Sequence, residues 1–195
     1  MLQTPLKDRA GAFALIALGS NAPSVWGDAT QTVLKAIHEI EDRVGAASIS
    51  SPLYRTPAFP AGAGPEFVNA AIRIESTHSG EDLLAVLHEI EAEAGRERIV
   101  RWGQRTLDLD LIALGAQVLP DASTHKKWRE LALDVQAKIA PDQLVLPHPR
   151  LQDRAFVLVP LAQVAPDWVH PILDRSVTQM RDARPAAEVA TVRLI

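Results

Sequence analysis

The sequence predicts an α+β fold in which one antiparallel sheet packs against two helices, and two kinds of hydrophobic spacing support this prediction. Four short segments are continuously apolar or alternate between apolar and polar residues, as strands do. Two longer segments repeat apolar residues at helical spacing. The order along the chain is strand, helix, strand, strand, helix, strand, which is that of a ferredoxin-like domain with both helices on one face of the sheet.

The first half of the pattern opens with a buried strand over residues 13–18, which ends at a Gly-Ser-Asn turn signal. A helix then begins at the N-cap residue Asp28 and ends at Gly45. Its predicted apolar stripe consists of Val33, Leu34, Ile37, Ile40 and Val44. A second strand covers about residues 49–54 and leads into a loop rich in proline and glycine over residues 56–65.

The second half begins with an alternating strand over residues 67–75. Ser79 then N-caps a helix with Asp82 in the capping-box position, and Gly95 ends this helix. Its predicted apolar stripe consists of Leu83, Leu84, Leu87, Ile90 and Ala94. A last strand over residues 105–114 alternates leucines with polar residues.

Side chains two residues apart on a strand project from the same face of the sheet. If the apolar strand faces meet the helices, then Phe67, Asn69, Asp108 and Asp110 point together from the opposite face. We therefore expect the helices on one face of the sheet and an open active site on the other.

We expect a single domain over residues 1–195, with a loose N-terminal tail over residues 1–11. Residues 121–143 interrupt the pattern and predict a helical insertion with a basic start. The apolar stripe of this insertion consists of Trp128, Leu131, Val135 and Ile139. A turn over residues 147–150 and a final short apolar element over residues 156–161 follow.

Composition and charge argue against several classes of protein. A net charge of −4 disfavours a nucleic-acid binder, and no apolar run is long enough to cross a membrane. The absence of cysteine excludes disulfides and thiolate chemistry and fits a cytoplasmic protein. Lys7 and Arg9 before an apolar stretch faintly resemble a signal peptide. Because Asp8 interrupts them, a buried strand after a loose tail is the preferred interpretation.

The strongest local signal for chemistry is the Asp108-Leu-Asp110 pair. Two carboxylates on one strand face repel each other unless a cation joins them, and hard oxygen ligands suit Mg²⁺, with phosphates completing its shell. The alternative is a solvated strand face with two exposed acids.

Arginines are concentrated immediately before this acidic pair, at Arg96, Arg98, Arg101 and Arg105. Guanidinium groups beside two acids can hold a polyphosphate together with its metal, whereas the alternative is a set of surface ion pairs. A second group with phosphate-binding potential consists of His148, Arg150 and Arg154. For His148, a loop histidine without a role is the alternative.

Aromatic side chains could stack on a flat heterocycle, and Asn69 could hydrogen-bond to its edge. The aromatic candidates are Phe67, Trp102 and Phe156, for each of which a place in the core is the alternative. Neither a P-loop (G-x-x-x-x-G-K-S/T) nor a dinucleotide motif (G-x-G-x-x-G) is present, so phosphate must be held in another way.

Together these residues resemble the 6-hydroxymethyl-7,8-dihydropterin pyrophosphokinase family. The resemblance covers most of the chain apart from the insertion and both tails, and its most specific part is W-G-x-R-T-L-D-L-D followed by P-H-P-R. Gln104 stands where the family usually has proline. The matching segments are ALGSN at 17–21, SPLYRTP at 51–57, FVNAA at 67–71, GRER at 95–98, RWGQRTLDLD at 101–110, PHPR at 147–150, RAFVL at 154–158 and APDWVHP at 165–171.

The resemblance implies a magnesium-dependent enzyme of folate synthesis that transfers pyrophosphate from ATP to a hydroxymethyl pterin. It implies that Asp108 and Asp110 bind two Mg²⁺ ions and that Arg96 and Arg105 clamp the triphosphate, so that these four residues are catalytic. The further implied ATP contacts are Arg98, Trp102, His148 and Arg154. The implied pterin contacts are Thr56, Pro57, Phe59, Phe67, Asn69, Trp102 and Phe156.

Two other functions use the same residues: a metal-dependent nuclease and a non-catalytic nucleotide-binding module. We expect a monomer, with a dimer as the alternative, and neither a nucleic-acid nor a membrane partner. We expect residues 122–141 to form one helix docked on the protein's own surface outside the catalytic centre. The alternative for this segment is a lid over the triphosphate.

Overall fold

The computed structural model describes residues 12–58, 64–96, 105–132, 135 and 139–195. In chain order, the elements are β1 (Ala12–Ser20), α1 (Ala29–Val44), β2 (Ser48–Ser50), β3 (Tyr54–Thr56), β4 (Phe67–Ser76), α2 (Gly80–Glu93), β5 (Asp108–Leu114), α3 (Ala122–Glu130), a 3₁₀ turn (Leu151–Asp153), α4 (Ala155–Val164), β6 (Val169–His170), β7 (Arg175–Ser176), α5 (Val177–Asp182), α6 (Ala186–Val189) and β8 (Arg193–Leu194).

The main sheet is antiparallel and has the strand order β5-β1-β4-β3-β8, with β2 also pairing with β4. This order confirms the predicted ferredoxin-like arrangement. The predicted second strand is divided into β2 and β3, which lie one after the other along the same edge of β4. Between them, Ser51 still bonds to Ala71 through its backbone N–H (2.9 Å), and its hydroxyl accepts from the Ala71 N–H (3.0 Å).

The predicted helix ends are confirmed. Asp28 and Gln31 form a capping box at the start of α1, and Gly45 ends this helix with a φ of 75°. Ser79 caps α2 by accepting a hydrogen bond from the backbone N–H of Asp82. Gly95 follows α2 with a φ of 81°, a conformation that favours glycine.

The first face of the sheet carries the core that the spacing predicts. Alternate side chains of β1, β4 and β5 pack there against the apolar stripes of α1 and α2. Members of this core include Ile16, Leu18, Val33, Ile37, Ile40, Ile72, Ile74, Leu83, Leu87, Ile90, Leu109 and Leu111. Leu34 was wrongly predicted to belong to the stripe of α1, since it is exposed on the opposite side of the helix.

The two helices of the predicted order, α1 and α2, share the first face as expected. The second face of the sheet is only partly open, because a further helix packs on it. The apolar element predicted over residues 156–161 is part of α4, which covers much of this face. A second core lies there, and it includes Leu15, Ala17, Ala71, Ile112, Ala113, Val157, Leu158 and Leu161. The register between β1 and β5 shifts between Leu15 and Ile16, so Ile112 and Ala113 both reach this core.

The insertion begins as predicted but does not form one helix over residues 122–141. Asp121 caps α3 by accepting hydrogen bonds from two backbone N–H groups, and Leu131 leaves the helical conformation with a ψ of 136°. Residues 133, 134 and 136–138 lie outside the described part of the chain. Among the described helices, none combines the length and the apolar character needed to cross a membrane.

Candidate active site

The end of α2, the start of β5 and the segment that follows the insertion border a cleft of about 1490 Å³. This cleft brings together the two charged groups that the sequence singles out. The predicted site residues that line it are Arg96, Arg105, Asp108, Asp110, His148, Arg150 and Arg154. Arg98, Arg101 and Trp102 lie outside the described residues.

The two aspartates stand in the cleft with arginines on both sides. One carboxylate oxygen of Asp108 lies 2.9 Å from Arg96 Nη2, and its other oxygen pairs with Arg105. A carboxylate oxygen of Asp110 lies 3.2 Å from Arg154 Nη1. Because both aspartate side chains keep part of their surface in contact with solvent, a ligand can reach them.

Glu91 is a member of the site that the sequence analysis missed. It lies on α2 with only 2% of its surface exposed, pairs with Arg96, and accepts a hydrogen bond from the Leu109 backbone N–H (2.8 Å). The buried carboxylate therefore fixes the Arg96 guanidinium beside the first residues of β5. The signal was available, because Glu91 follows Leu87 by one helical turn and so falls on the core side of α2.

His148 is held in one tautomer by its own turn. Its Nδ1 accepts a hydrogen bond from the Arg150 backbone N–H (3.1 Å), so a neutral ring carries its proton on Nε2. Burial of the ring, with the Arg154 guanidinium as a second cause, holds the pKa of His148 well below its ordinary value. The His148 backbone N–H donates to the Ile112 carbonyl (2.8 Å), which ties this turn to β5.

The aspartate pair fits Mg²⁺ as two ligands of a shared site. No group of three or more histidine, aspartate or glutamate side chains within the described residues is placed to hold a metal ion by itself. Mg²⁺ usually takes one or two carboxylates from the protein and completes its shell with water and substrate phosphates. The donors present match that requirement, since Asp108 and Asp110 project from the same side of β5.

The register of the sheet places the predicted pterin residues beside the aspartates. Gly19 of β1 pairs with Asp108 on one side and with Asn69 on the other. A Cβ atom at Gly19 would lie 3.0 Å from Asn69 Oδ1 and 3.8 Å from the Phe67 ring. Gly19 therefore leaves room on this row of the sheet, a role that the sequence analysis did not assign to it.

The remaining predicted substrate residues lie around this row. Asn69 Nδ2 donates to Thr56 Oγ1 (2.8 Å), and both side chains are buried. Pro57 is exposed, as is Phe156, whose ring centroid lies 5.8 Å from the Arg154 guanidinium carbon. Phe59 lies outside the described residues.

In this α+β fold, the sheet carries paired carboxylates and arginines beside an aromatic ring and an amide, a set of groups that suits a phosphorylated ligand next to a flat one. The chain belongs to the 7,8-dihydro-6-hydroxymethylpterin-pyrophosphokinase family, whose profile matches residues 15–166.

Three curated relatives share the name 2-amino-4-hydroxy-6-hydroxymethyldihydropteridine pyrophosphokinase. The Synechocystis protein is 34% identical over 86% of this chain and 73% of its own length. The Methylorubrum extorquens protein is 36% identical over 80% and 84%, respectively. The Pseudomonas aeruginosa protein is 37% identical over 78% and 80%.

Among solved structures, a Plasmodium falciparum HPPK-DHPS triple mutant aligns with a TM-score of 0.61 at 14% identity. The alignment covers 91% of this chain and 45% of the Plasmodium chain, so this chain spans about half the length of that protein. At this identity the likeness shows the fold alone, and it agrees with the ferredoxin-like topology of the sheet.

Proposed function

We propose that the cleft transfers the pyrophosphate group of ATP to 6-hydroxymethyl-7,8-dihydropterin and releases AMP, a step of folate synthesis. The names of the family and of its curated relatives support this reaction. The single observation that carries the assignment is the row Asp108–Gly19–Asn69 across three paired strands. This row would set a phosphate and metal site directly beside a place for a flat ring.

Asp108 and Asp110 would together hold two Mg²⁺ ions. Bound Mg²⁺ neutralises the negative charge on the phosphate oxygens. The aspartates contribute by projecting together from β5, where Leu109 between them is buried in the first core and its N–H is held by Glu91. This arrangement limits how far either carboxylate can shift.

Arg96 and Arg105 would bind the triphosphate and stabilise the negative charge that develops on it during transfer. Both guanidinium groups now contact Asp108, so an ATP phosphate must compete with this carboxylate for them. Arginine suits the task because its planar group can donate two parallel hydrogen bonds to a phosphate. Arg98 and Trp102 remain proposed ATP contacts from the family resemblance.

His148 and Arg154 would bind further ATP oxygens. With its Nδ1 occupied by a backbone N–H, neutral His148 presents Nε2–H as a donor that does not depend on protonation. Arg154 contacts Asp110 and also lies close to the Phe156 ring, so it links the phosphate side of the cleft to the pterin side.

The pterin would lie over the Gly19 row, between the faces of Phe67 and Phe156. The amide of Asn69, oriented by Thr56, would read the edge of the ring together with the backbone near Pro57. Phe59 and Trp102 are proposed as additional contacts. The free space at Gly19 supports this placement, because a side chain there would meet Asn69 and Phe67.

In the proposed reaction, the hydroxymethyl oxygen attacks the β-phosphorus and forms a new O–P bond. The attacking hydroxyl group gives up its proton to solvent. The bond between that phosphorus and the oxygen bridging to the α-phosphate breaks, and AMP leaves with the electron pair. The protein has little covalent work to do in such a transfer. Its residues act by holding the two substrates in line and by placing positive charge around the phosphates.

We further propose that the protein acts in the cytoplasm as a monomer. The absence of cysteine and the acidic net charge of −4 support a reducing compartment and no nucleic-acid partner.

The test is to incubate the protein with ATP, Mg²⁺ and the reduced hydroxymethyl pterin and to identify both products. The proposal expects AMP and a pterin diphosphate in equal amounts, and no product when EDTA removes the metal. Formation of ADP would contradict pyrophosphate transfer. Tight ATP binding without either product would instead favour the non-catalytic nucleotide-binding module.

A further inference from the structure

The cleft extends well beyond the aspartates, along one side of α2. Its lining on this helix is Glu81, Leu84, Ala85, His88 and Glu91, which recur every three or four residues. Ten residues separate the first from the last, a rise of roughly 15 Å along a helix. The cleft therefore has a charged end near Glu91 and a second end near the start of α2. This separation is comparable to the length of an extended nucleoside triphosphate.

The insertion lines the same cleft as the aspartates, which corrects the expectation that it docks outside the catalytic centre. Trp128, Ile139 and Gln143 line the cleft. The segments flanking the insertion are seated against the start of α2. A Cβ atom at Gly80 would lie 2.7 Å from Leu144 Cδ2 and 3.4 Å from Leu119 Cδ1.

Helix α3 is fixed in this position by His125. This side chain is completely buried, and its Nε2 lies 2.9 Å from the carbonyl oxygen of Pro147, the residue before His148. Its ring also meets the buried His170 ring edge-on, with 5.6 Å between centroids. Trp128 comes three residues later, on a neighbouring part of the same helix surface. The anchoring of His125 therefore also positions the Trp128 indole.

Apolar side chains form much of the cleft lining. Leu84, Leu111, Leu144 and Val145 line it together with Trp128, and Leu144 also packs against the start of α2. The indole is partly exposed, so a ligand can reach it. In contrast, Lys126 and Lys127 are exposed and are not part of the cleft lining, which argues against a basic lid over the triphosphate.

We propose that Trp128 forms one wall of a subsite for the purine base of the nucleotide, so that the insertion takes part in ATP binding. This inference rests on the proposed function, since it assigns the phosphates to the charged end of the cleft. A flat indole beside apolar side chains suits a base, and stacking between a base and an aromatic side chain contributes measurably to affinity.

The test compares two probes that differ in the base. One is an ATP analogue with a methylene group in place of the α,β-bridging oxygen, and the other is inorganic tripolyphosphate, both titrated calorimetrically with Mg²⁺. Trp128→Ala should raise the Kd of the ATP analogue about tenfold or more, in line with stacking energies. It should leave the Kd of tripolyphosphate within about twofold of the wild-type value.

Matched variants separate stacking from structural support. Trp128→Phe keeps an aromatic face and should restore most of the affinity for the ATP analogue, whereas Trp128→Leu keeps apolar bulk and should not. Lys127→Ala, an exposed change on the same helix, should leave both Kd values unchanged. If the alanine variant fails to fold, the test can still be made with Trp128→Leu, provided that this variant has the melting temperature of the wild type.

Two results would overturn the inference. Unchanged affinity for the ATP analogue in both Trp128→Ala and Trp128→Leu would show that the base lies elsewhere. Equal weakening of both probes would show that Trp128 supports the cleft as a whole. Wild-type turnover, measured separately as AMP formation, tests the proposed function, so base-dependent binding without AMP would refute the reaction and leave the subsite standing.

Discussion

The second face of the sheet has an open end and a covered end, which lie only two residues apart along each strand. At the open end, Gly19 pairs with Asp108 and Asn69. Two residues earlier on β1, Ala17 pairs with Asp110 and Ala71, and there α4 begins to cover the sheet. Strand alternation therefore decides from which face of the sheet a side chain projects. The element that packs on that face decides whether the side chain is available for binding or contributes to stability.

The largest expected effect is at the two aspartates, Asp108 at the open end and Asp110 on the row that borders the covered end. Asp108→Asn or Asp110→Asn should lower turnover roughly 1000-fold or more, because an amide is a poor substitute for a carboxylate as a Mg²⁺ ligand. The fold should persist, since both side chains are partly exposed. Steady-state AMP formation and circular dichroism together check this. A variant with near-normal turnover would refute the metal assignment.

The covered end should show the opposite separation of effects. Leu158 is completely buried in the second core, so Leu158→Ala should cost about 3 kcal/mol of unfolding free energy through lost contacts and a residual cavity. The folded fraction should keep kcat within about twofold. Urea unfolding followed by an assay of the native protein measures both quantities. A stable variant with greatly reduced kcat would show that the buried side of α4 also controls the site, through the proposed pterin contact Phe156 on the same helix.

The arginines at the open end should affect chemistry more than pterin binding. Arg96→Ala or Arg105→Ala should lower kcat and kcat/KM together by about 100-fold, the size expected when a donor to transition-state charge is lost. Arg105→Ala is the cleaner variant, because Arg96→Ala also removes an ion-pair partner of the buried Glu91. If only the pterin KM rose, the placement of these arginines at the phosphates would be wrong.

Strand parity and helix spacing predicted most of the first core, with Leu34 as an exception, and the face of β5 from which Asp108 and Asp110 project. They could not predict that α4 covers part of the second face. Residues 155–164 are apolar on nearly all sides, so their spacing favours neither a strand nor a helix and shows no exposed side. The register shift near Ile112 also depends on pairing with β1, which local sequence does not reveal.

The charged part of the site was predictable, because arginines and aspartates clustered within a few residues of one another. Its supports were not all found. Glu91 has a sequence signal, a carboxylate within an apolar helical stripe, whereas Gly19 reveals its role only through its neighbours on two other strands. The position of the insertion depends on the contact of His125 with Pro147, 22 residues away, which no local pattern indicates.

Trp168, which packs against the second core, lies beside a buried histidine, His170 on β6. Its Nδ1 accepts hydrogen bonds from the backbone N–H groups of Ile172 (3.2 Å) and Leu173 (3.3 Å), so the neutral ring fits the site. Burial, with the neighbouring His125 and Arg129 as further causes, lowers the pKa of His170 to about 4. We therefore expect the stability of the protein to depend on pH through this histidine.

The smallest expected effect follows from this histidine. The unfolded chain takes up a proton at His170 near pH 6.5, whereas the folded protein does so only near pH 4, so stability should fall as the pH falls between these values. At pH 5.5 the loss from this group is roughly 1.4 kcal/mol. His170→Asn keeps an acceptor near the Nδ1 position but cannot be protonated. Unfolding free energies at pH 7.5 and 5.5 should therefore differ less in the variant, by about that amount. An unchanged difference would mean that His170 is not the group whose burial makes the protein sensitive to acid.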